Sequence, residues 1–272
     1  EIVDVAWTFG WINGTNYDLT VDDPNGVPVT FQMRGPGNGR VGGSEEFFDV
    51  TVDDTTFRST ILVRPEGNQV TTLESLTVNG PLRTLYAPTA DLAGNITVDG
   101  RAQNLLLHGA VAGRQGTITI GESHNRVAGV SLSAGIVEDL SIHSEAPLKR
   151  ISVDSWVDTD ATPDEISGPS LSLFHVSDAG QAANLDIAGN IRSLIVADGA
   201  LSGDVSADAN IRYVNVRNGV IEGNINAGGD IGRIYGNNGV SGWITANGNI
   251  DYLRVTGGPI TGQIEAGAAS DA

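Results

Sequence analysis

Along most of the chain apolar and polar residues alternate at a spacing of two in short runs, as in Leu194/Val196 and Val205/Ala207, with Gly, Asn or Asp between the runs. A period of two is the period of a strand, and closely spaced turn residues keep those strands short. No segment carries the apolar period of a helix over ten or more residues. The pattern therefore predicts an all-β chain of many short strands.

The runs also repeat. Units beginning at Asn190, Asn210, Asp230 and Asn249 follow one another at spacings of 20, 20 and 19 residues. Their columns agree: Ile191, Ile211, Ile231, Ile250; Leu194, Val214, Ile234, Leu253; Val205, Ile225, Ile244, Ile264; and the small column Ala207, Ala227, Ala246, Ala266. Glycine recurs as Gly199, Gly219, Gly239, Gly258 and as Gly203, Gly223, Gly242, Gly262. Strand alternation held at a fixed period of this size specifies a parallel β-helix, or β-solenoid, with about 20 residues per coil. Like residues then stack at roughly 4.8 Å per coil. Branched side chains fill the interior, the glycines are expected to permit backbone angles closed to other residues, and Asn190, Asn210 and Asn249 are expected to form an amide ladder that Asp230 interrupts.

Less regular runs extend this grammar upstream through Leu76/Val78, Ile96/Val98, Ile118/Ile120, Leu140/Ile142 and Leu185/Ile187, giving eight to nine coils between residues 68 and 268. The acidic stretch Asp154 to Glu165 reads as an insertion between walls. Residues 1–67 have longer strand-like runs, turn clusters and most of the large aromatics, including Trp7, Phe9, Trp11, Phe31 and Phe48. They are expected to form a small β-rich subdomain capping the first coil, whose open edge would otherwise be exposed. The division expected is thus a cap over 1–67 and a solenoid over 68–272, with its clearest repeats over 190–268. The start at Glu1 reads as a processed chain or an excerpt, and the last unit, finishing at Ala268, shows no cap.

The runs Asp49 to Arg64, Leu73 to Ala87, Asp91 to Gly100 and Gly116 to Gly121, with Gly35-Pro-Gly-Asn-Gly39 following Val29-Thr-Phe31, resemble β-solenoid modules of giant secreted or cell-surface repeat proteins of planctomycete-type bacteria. The resemblance covers nearly the whole chain. It implies an extracellular, repeat-built structural or adhesive role and transfers no active-site residue.

Composition narrows the function. With 33 Asp+Glu against 15 Lys+Arg the formal charge is −18, which argues against nucleic acid as a partner. The cations are 14 Arg and one Lys, Lys149, so neither a polybasic membrane patch nor a Schiff-base lysine is expected. Without Cys there is no disulfide or thiolate site. No stretch reaches the 18 or so apolar residues of a membrane-spanning helix. The four His, at 108, 124, 143 and 175, fall in no metal or triad spacing.

Chemistry concentrates in the acidic stretch. Asp154, Asp158, Asp160, Asp164 and Glu165 gather hard oxygen ligands suited to Ca²⁺, although Pro163 excludes the EF-hand turn, and Trp156 among them offers a ring for sugar stacking or for covering an apolar edge. Asp22, Asp23 and Asn25 form a second cation candidate. Arg192 and Arg212 share a column in adjacent coils, so their charges require Glu222, Asp204 or a partner molecule to offset them. Together these features favour a non-enzymatic extracellular scaffold that requires no cofactor and associates end to end, with itself or with neighbouring modules of the same protein. A carbohydrate-binding adhesin, using Ca²⁺, is the alternative, and a polysaccharide-active β-helix enzyme a third.

Overall fold

The computed structural model describes residues 7–43, 47–67, 69–122, 129–160 and 162–267, which form 27 strands and no helix. They build a β-solenoid of about ten turns. Three walls wind around one interior. The first runs from Thr60–Pro65 to Ile250–Val255, with the inward column Ile61, Leu85, Leu105, Leu132, Ile151, Phe174, Leu194, Val214, Ile234, Leu253 in parallel register throughout. The second runs from Phe48–Asp53 to Ile264–Ala266 through Val50, Leu76, Ile96, Ile118, Ile142, Ile166, Leu185, Val205, Ile225, Ile244 and Ile264. In its later coils the third wall is held mostly by single bridges, through the column Val137, Trp156, Gln181, Leu201, Ile221, Val240, Ile260.

Interior residues change with coil circumference. From Ile118 to Ile142 and from Ile142 to Ile166 the second wall advances 24 residues per turn, and these wider coils hold Ile120 and Trp156. From Leu185 onward the advance is 19 or 20, and the second inward position narrows from Ile187 to Ala207, Ala227 and Ala246.

The N-terminal strands Trp7–Ile12, Thr15–Tyr17, Leu19–Asp22, Pro28–Arg34 and Asn38–Gly43 pair antiparallel around Phe9, Phe31 and Phe48, whose rings meet at 5.9 and 5.2 Å. These antiparallel strands are fused to the coil. Phe48–Asp53 and Thr60–Pro65 each pair antiparallel with a cap strand on one edge and parallel with a coil strand on the other. A strand has two edges, so these two convert one topology into the other, and a single apolar core runs through both regions.

The first glycine column is of mixed cause. Gly199 and Gly239 have φ of 81° and 115°, as expected of residues chosen for their backbone angles, whereas Gly219 and Gly258 do not have positive φ, and a Cβ on them would overlap the carbonyl oxygens of Gly199 and Asn238. Gly203, Gly223, Gly242 and Gly262 do not have positive φ; a Cβ on any of them would overlap the carbonyl oxygen of the coil before. That column reports close approach of successive backbones.

The asparagine ladder contains one amide-to-amide bond, Asn210 Nδ2 to Asn190 Oδ1 at 3.1 Å, but its continuous element is a bond to the backbone. Each side-chain oxygen accepts the backbone N–H one coil on: Asn210 N to Asn190 Oδ1 at 3.1 Å, Asp230 N to Asn210 Oδ1 at 2.7 Å, Asn249 N to Asp230 Oδ1 at 2.8 Å. Only an oxygen is needed, so Asp230 continues the series. A second ladder runs through Asn184, Asp204 and Asn224 to the N–H of Trp243. Asp230→Asn should therefore leave stability unchanged within about 0.5 kcal/mol, whereas Asp230→Ala should cost about 1 kcal/mol through the lost bond to Asn249; urea unfolding of the two variants checks this.

Candidate functional site

The acidic stretch does not act as one ligand set. Ser155–Val157 and Glu165–Gly168 at its two ends are strands, paired with Ile136–Glu138 and Asn184–Ile187, and only the segment between them is a loop. Of the five carboxylates expected to gather, Asp158 and Asp160 meet, and the third member is Asp139, one oxygen of each lying within 4.8 Å of the others. Asp139 is almost fully buried at φ 51°. Its oxygens accept from the Gly113 N–H at 2.5 Å and from the Thr159 N–H and hydroxyl at 2.6 and 2.5 Å. Burial pushes this carboxyl up, but the hydrogen bonds from Thr159, Gly113 and Asp160 outweigh it and hold the group below the usual carboxylate value. Asp158 Oδ1 is buried with no hydrogen-bond partner among the described residues.

The other three carboxylates are elsewhere. Asp154 precedes the Ser155 strand on an exposed corner and accepts from the Ser177 hydroxyl at 2.9 Å. Glu165 sits in register opposite Asn184, with its N–H on Ser141 Oγ at 3.0 Å. Asp164 is fully buried and accepts from Trp156 Nε1 at 3.0 Å and from Gln115 Nε2 at 3.2 Å. Trp156 is not a stacking platform: it is 1% exposed, occupies an inward position of the third wall, and packs 6.0 Å from the Phe174 ring. Strand alternation turns it inward, and Asp164 satisfies its indole N–H. The Asp22/Asp23/Asn25 candidate is a turn, with Asp23 buried and accepting from the N–H groups of Asn25 and Val27 and from the Thr71 hydroxyl.

A cleft of about 700 Å³ lies between His108, Asp91, Ser133, Ile136, Glu138 and Asp154. His108 Nδ1 meets Asp91 Oδ1 at 2.8 Å. This juxtaposition was not legible as a motif, because each partner comes from a different coil. Ser133 lines the same cleft and, among the described residues, makes no hydrogen bond to the imidazole. His143 is held by Ser167 at 2.8 Å, His175 faces outward beside Ile195, and His124 lies outside the described residues.

Arg192 and Arg212 do stack in one column, which continues through Gly232 to Asp251. The acids expected to offset them are engaged elsewhere, Asp204 with the Asn224 N–H and Glu222 with the Ser202 hydroxyl. Both guanidinium groups are exposed and make no ion pair within the described residues. Comparison with protein-family models, with curated proteins and with solved structures gives no match.

Burial pushes the Asp164 carboxyl from 3.8 up to about 6, with a smaller push from Asp158, against the opposing hydrogen bonds of Trp156, Gln115 and the Leu140 backbone. Between those two values the folded state keeps a proton that the unfolded chain has lost. Its contribution to stability is therefore fully present below pH 3.8 and is lost as pH rises through about 6. At about 1.4 kcal/mol per unit the loss is at most about 3 kcal/mol. Asp164→Asn removes the titration while still offering the indole an oxygen. Relative to the parent, this variant should gain stability between pH 4 and pH 7.5, by no more than that amount, in urea unfolding measured across the range.

Proposed function

We propose that the chain is a non-enzymatic structural scaffold of the cell exterior, a rigid rod joined end to end to further copies or to neighbouring modules of the same protein. One observation carries this reading: the inward columns run in unbroken register to the last described rung, where Ile260 and Ile264 are 46% and 39% exposed. A parallel strand edge flanked by bare apolar side chains is a template for another strand. The cap, too, presents large apolar groups, Trp7, Trp11, Tyr17 and Phe57 being exposed. The extracellular setting rests on the resemblance to secreted repeat modules.

Eleven stacked rungs in the second wall, continued by Asn38–Gly43, Trp7–Ile12 and Thr15–Tyr17 on the edge of the first, make 14 layers and span 13 spacings, about 62 Å. The purified chain should therefore form rods with an axial repeat of about 6 nm in electron microscopy, and its mass in light scattering should rise with concentration. Ile264→Asp should abolish that rise. A chain that stays monodisperse at every concentration overturns self-assembly.

The Asp139, Asp158, Asp160 cluster favours a second reading, an adhesin whose acidic loop is organised by Ca²⁺. Three carboxylate oxygens in reach of one another, one of them buried and unpartnered, suit a hard cation. Calcium should raise the midpoint of thermal unfolding in the parent and leave Asp158→Asn/Asp160→Asn unmoved, and calorimetric titration should show one site per chain. An equal response in both proteins removes the metal from this reading.

A further inference from the structure

Five of the 14 arginines of this acidic chain lie on the outer face of the first wall in its last four coils. Register fixes their arrangement. One outward column reads Ser193, Tyr213, Arg233, Tyr252, and the next reads Ile195, Asn215, Tyr235, Arg254. Tyrosine and arginine thus alternate both along and across the coils. The three rings form a zigzag, with Tyr213 and Tyr235 centroids 5.7 Å apart and Tyr235 and Tyr252 centroids 5.4 Å apart.

Two clefts adjoin this zigzag. The first, about 450 Å³, is lined by Arg192, Arg212, Arg233 and Tyr213, and the second, about 280 Å³, by Arg217, Arg254, Tyr235 and Asn215. All five guanidinium groups are exposed, and none has a carboxylate at ion-pair distance within the described residues. Asp251 is the one acid lining either cleft. The tyrosine hydroxyls make no hydrogen bond within the described residues. Upstream, exposed Lys149 stands in the Arg192 column two coils earlier, so the positive strip continues along the rod.

Like charges stacked one coil apart repel, and of the 33 carboxylates only Asp251 lines either cleft, at ion-pair distance from none of the five among the described residues. An external anion supplies what is missing. Its form follows from the surface: straight, repeating at roughly 4.8 Å, with rings for stacking and planar forks that grip carboxylate or sulfate in two places. The rise of one rung is comparable with the length of one pyranose unit. We propose that this face binds a linear anionic polysaccharide laid along the rod, its sugar rings on Tyr213, Tyr235 and Tyr252 and its acidic groups in the two arginine clefts. A single-stranded nucleic acid is the competing polyanion, and the test includes it.

The test is binding of the full chain to immobilised polygalacturonate, heparin and neutral dextran, with poly-glutamate and a single-stranded oligonucleotide as charged polymers of other classes. Polygalacturonate or heparin should bind at least tenfold more tightly than dextran or either other polymer, the better of the two telling carboxylate from sulfate, and binding should weaken as salt is raised. Arg212→Glu/Arg233→Glu should raise Kd at least tenfold and Tyr235→Ala several-fold, while Arg40→Glu on the cap should change nothing. Arg217→Gln/Arg254→Gln, milder and on the second cleft, repeats the test should the first pair disturb folding, which circular dichroism reports. Binding no better than dextran overturns the proposal, as does binding indifferent to both arginine pairs. Preference for poly-glutamate or the oligonucleotide overturns it in favour of a protein or nucleic-acid partner.

Discussion

Everything in this molecule depends on the hydrogen bonds between successive coils. A coil of about 20 residues has no interior of its own; it becomes a core only when the coils before and after it lie one strand spacing away on every wall. That distance is enforced even at the corners. The Gly203, Gly223, Gly242, Gly262 column exists because backbone passes over backbone with no room for a Cβ, and the side-chain ladders from Asn190 and from Asn184 tie N–H groups that the walls leave without a partner. With the spacing fixed at the turns, the apolar columns have one way to stack.

This dependence explains what the sequence made legible. Where the same interaction recurs, residues recur, and the Ile191 and Val205 columns could be aligned by eye and assigned to walls. Wherever an interaction occurs once, the repeat was silent. Asp139 is the clearest case: it joins Asp158 and Asp160 from the preceding coil, at a sequence distance set by the particular length of an irregular turn. A polar residue followed by strand-like Leu140 to Ser144 carries no sign that it holds a loop from the next coil. Trp156 read either as a ring for a sugar or as a cover for an apolar edge, because its neighbours are acidic, and only the pairing of Val137 with Trp156 shows that it takes an inward place. The cap was legible as another texture, but its fusion with the coil was not, because strand pairing on two edges leaves no mark in composition.

Charge is distributed in a way the net value conceals. Most carboxylates sit at turns, where several have structural tasks: Asp204 and Asp230 in the ladders, Asp23 and Asp139 at loop bases. The arginines of the last coils have no such task. Both sets of columns were visible in the aligned repeats, yet the alternation of Tyr213, Arg233 and Tyr252 beside Asn215, Tyr235 and Arg254 becomes a surface only when the parallel register sets the columns side by side.

The acidic insertion shows how a solenoid accepts an irregular segment without losing its repeat. The segment keeps its two ends as wall strands, so the ladder above and below is continuous. Its extra length widens the coil, and the added volume is filled by Trp156 against Phe174. A large indole brings an N–H that cannot be left bare in the interior, and Asp164 supplies the acceptor at the point where the chain re-enters the wall. At the other base of the loop Asp139 accepts from both the backbone and the side chain of Thr159. One carboxylate therefore fixes the exit and another the return. Their environments are opposite, since Asp139 is surrounded by donors that favour its ionised form whereas Asp164 is desolvated and held toward the neutral form. Between them lies the segment bearing Asp158 and Asp160, so a cation held by these two and Asp139 would tie the loop to the corner that precedes the Leu140–Ser144 strand.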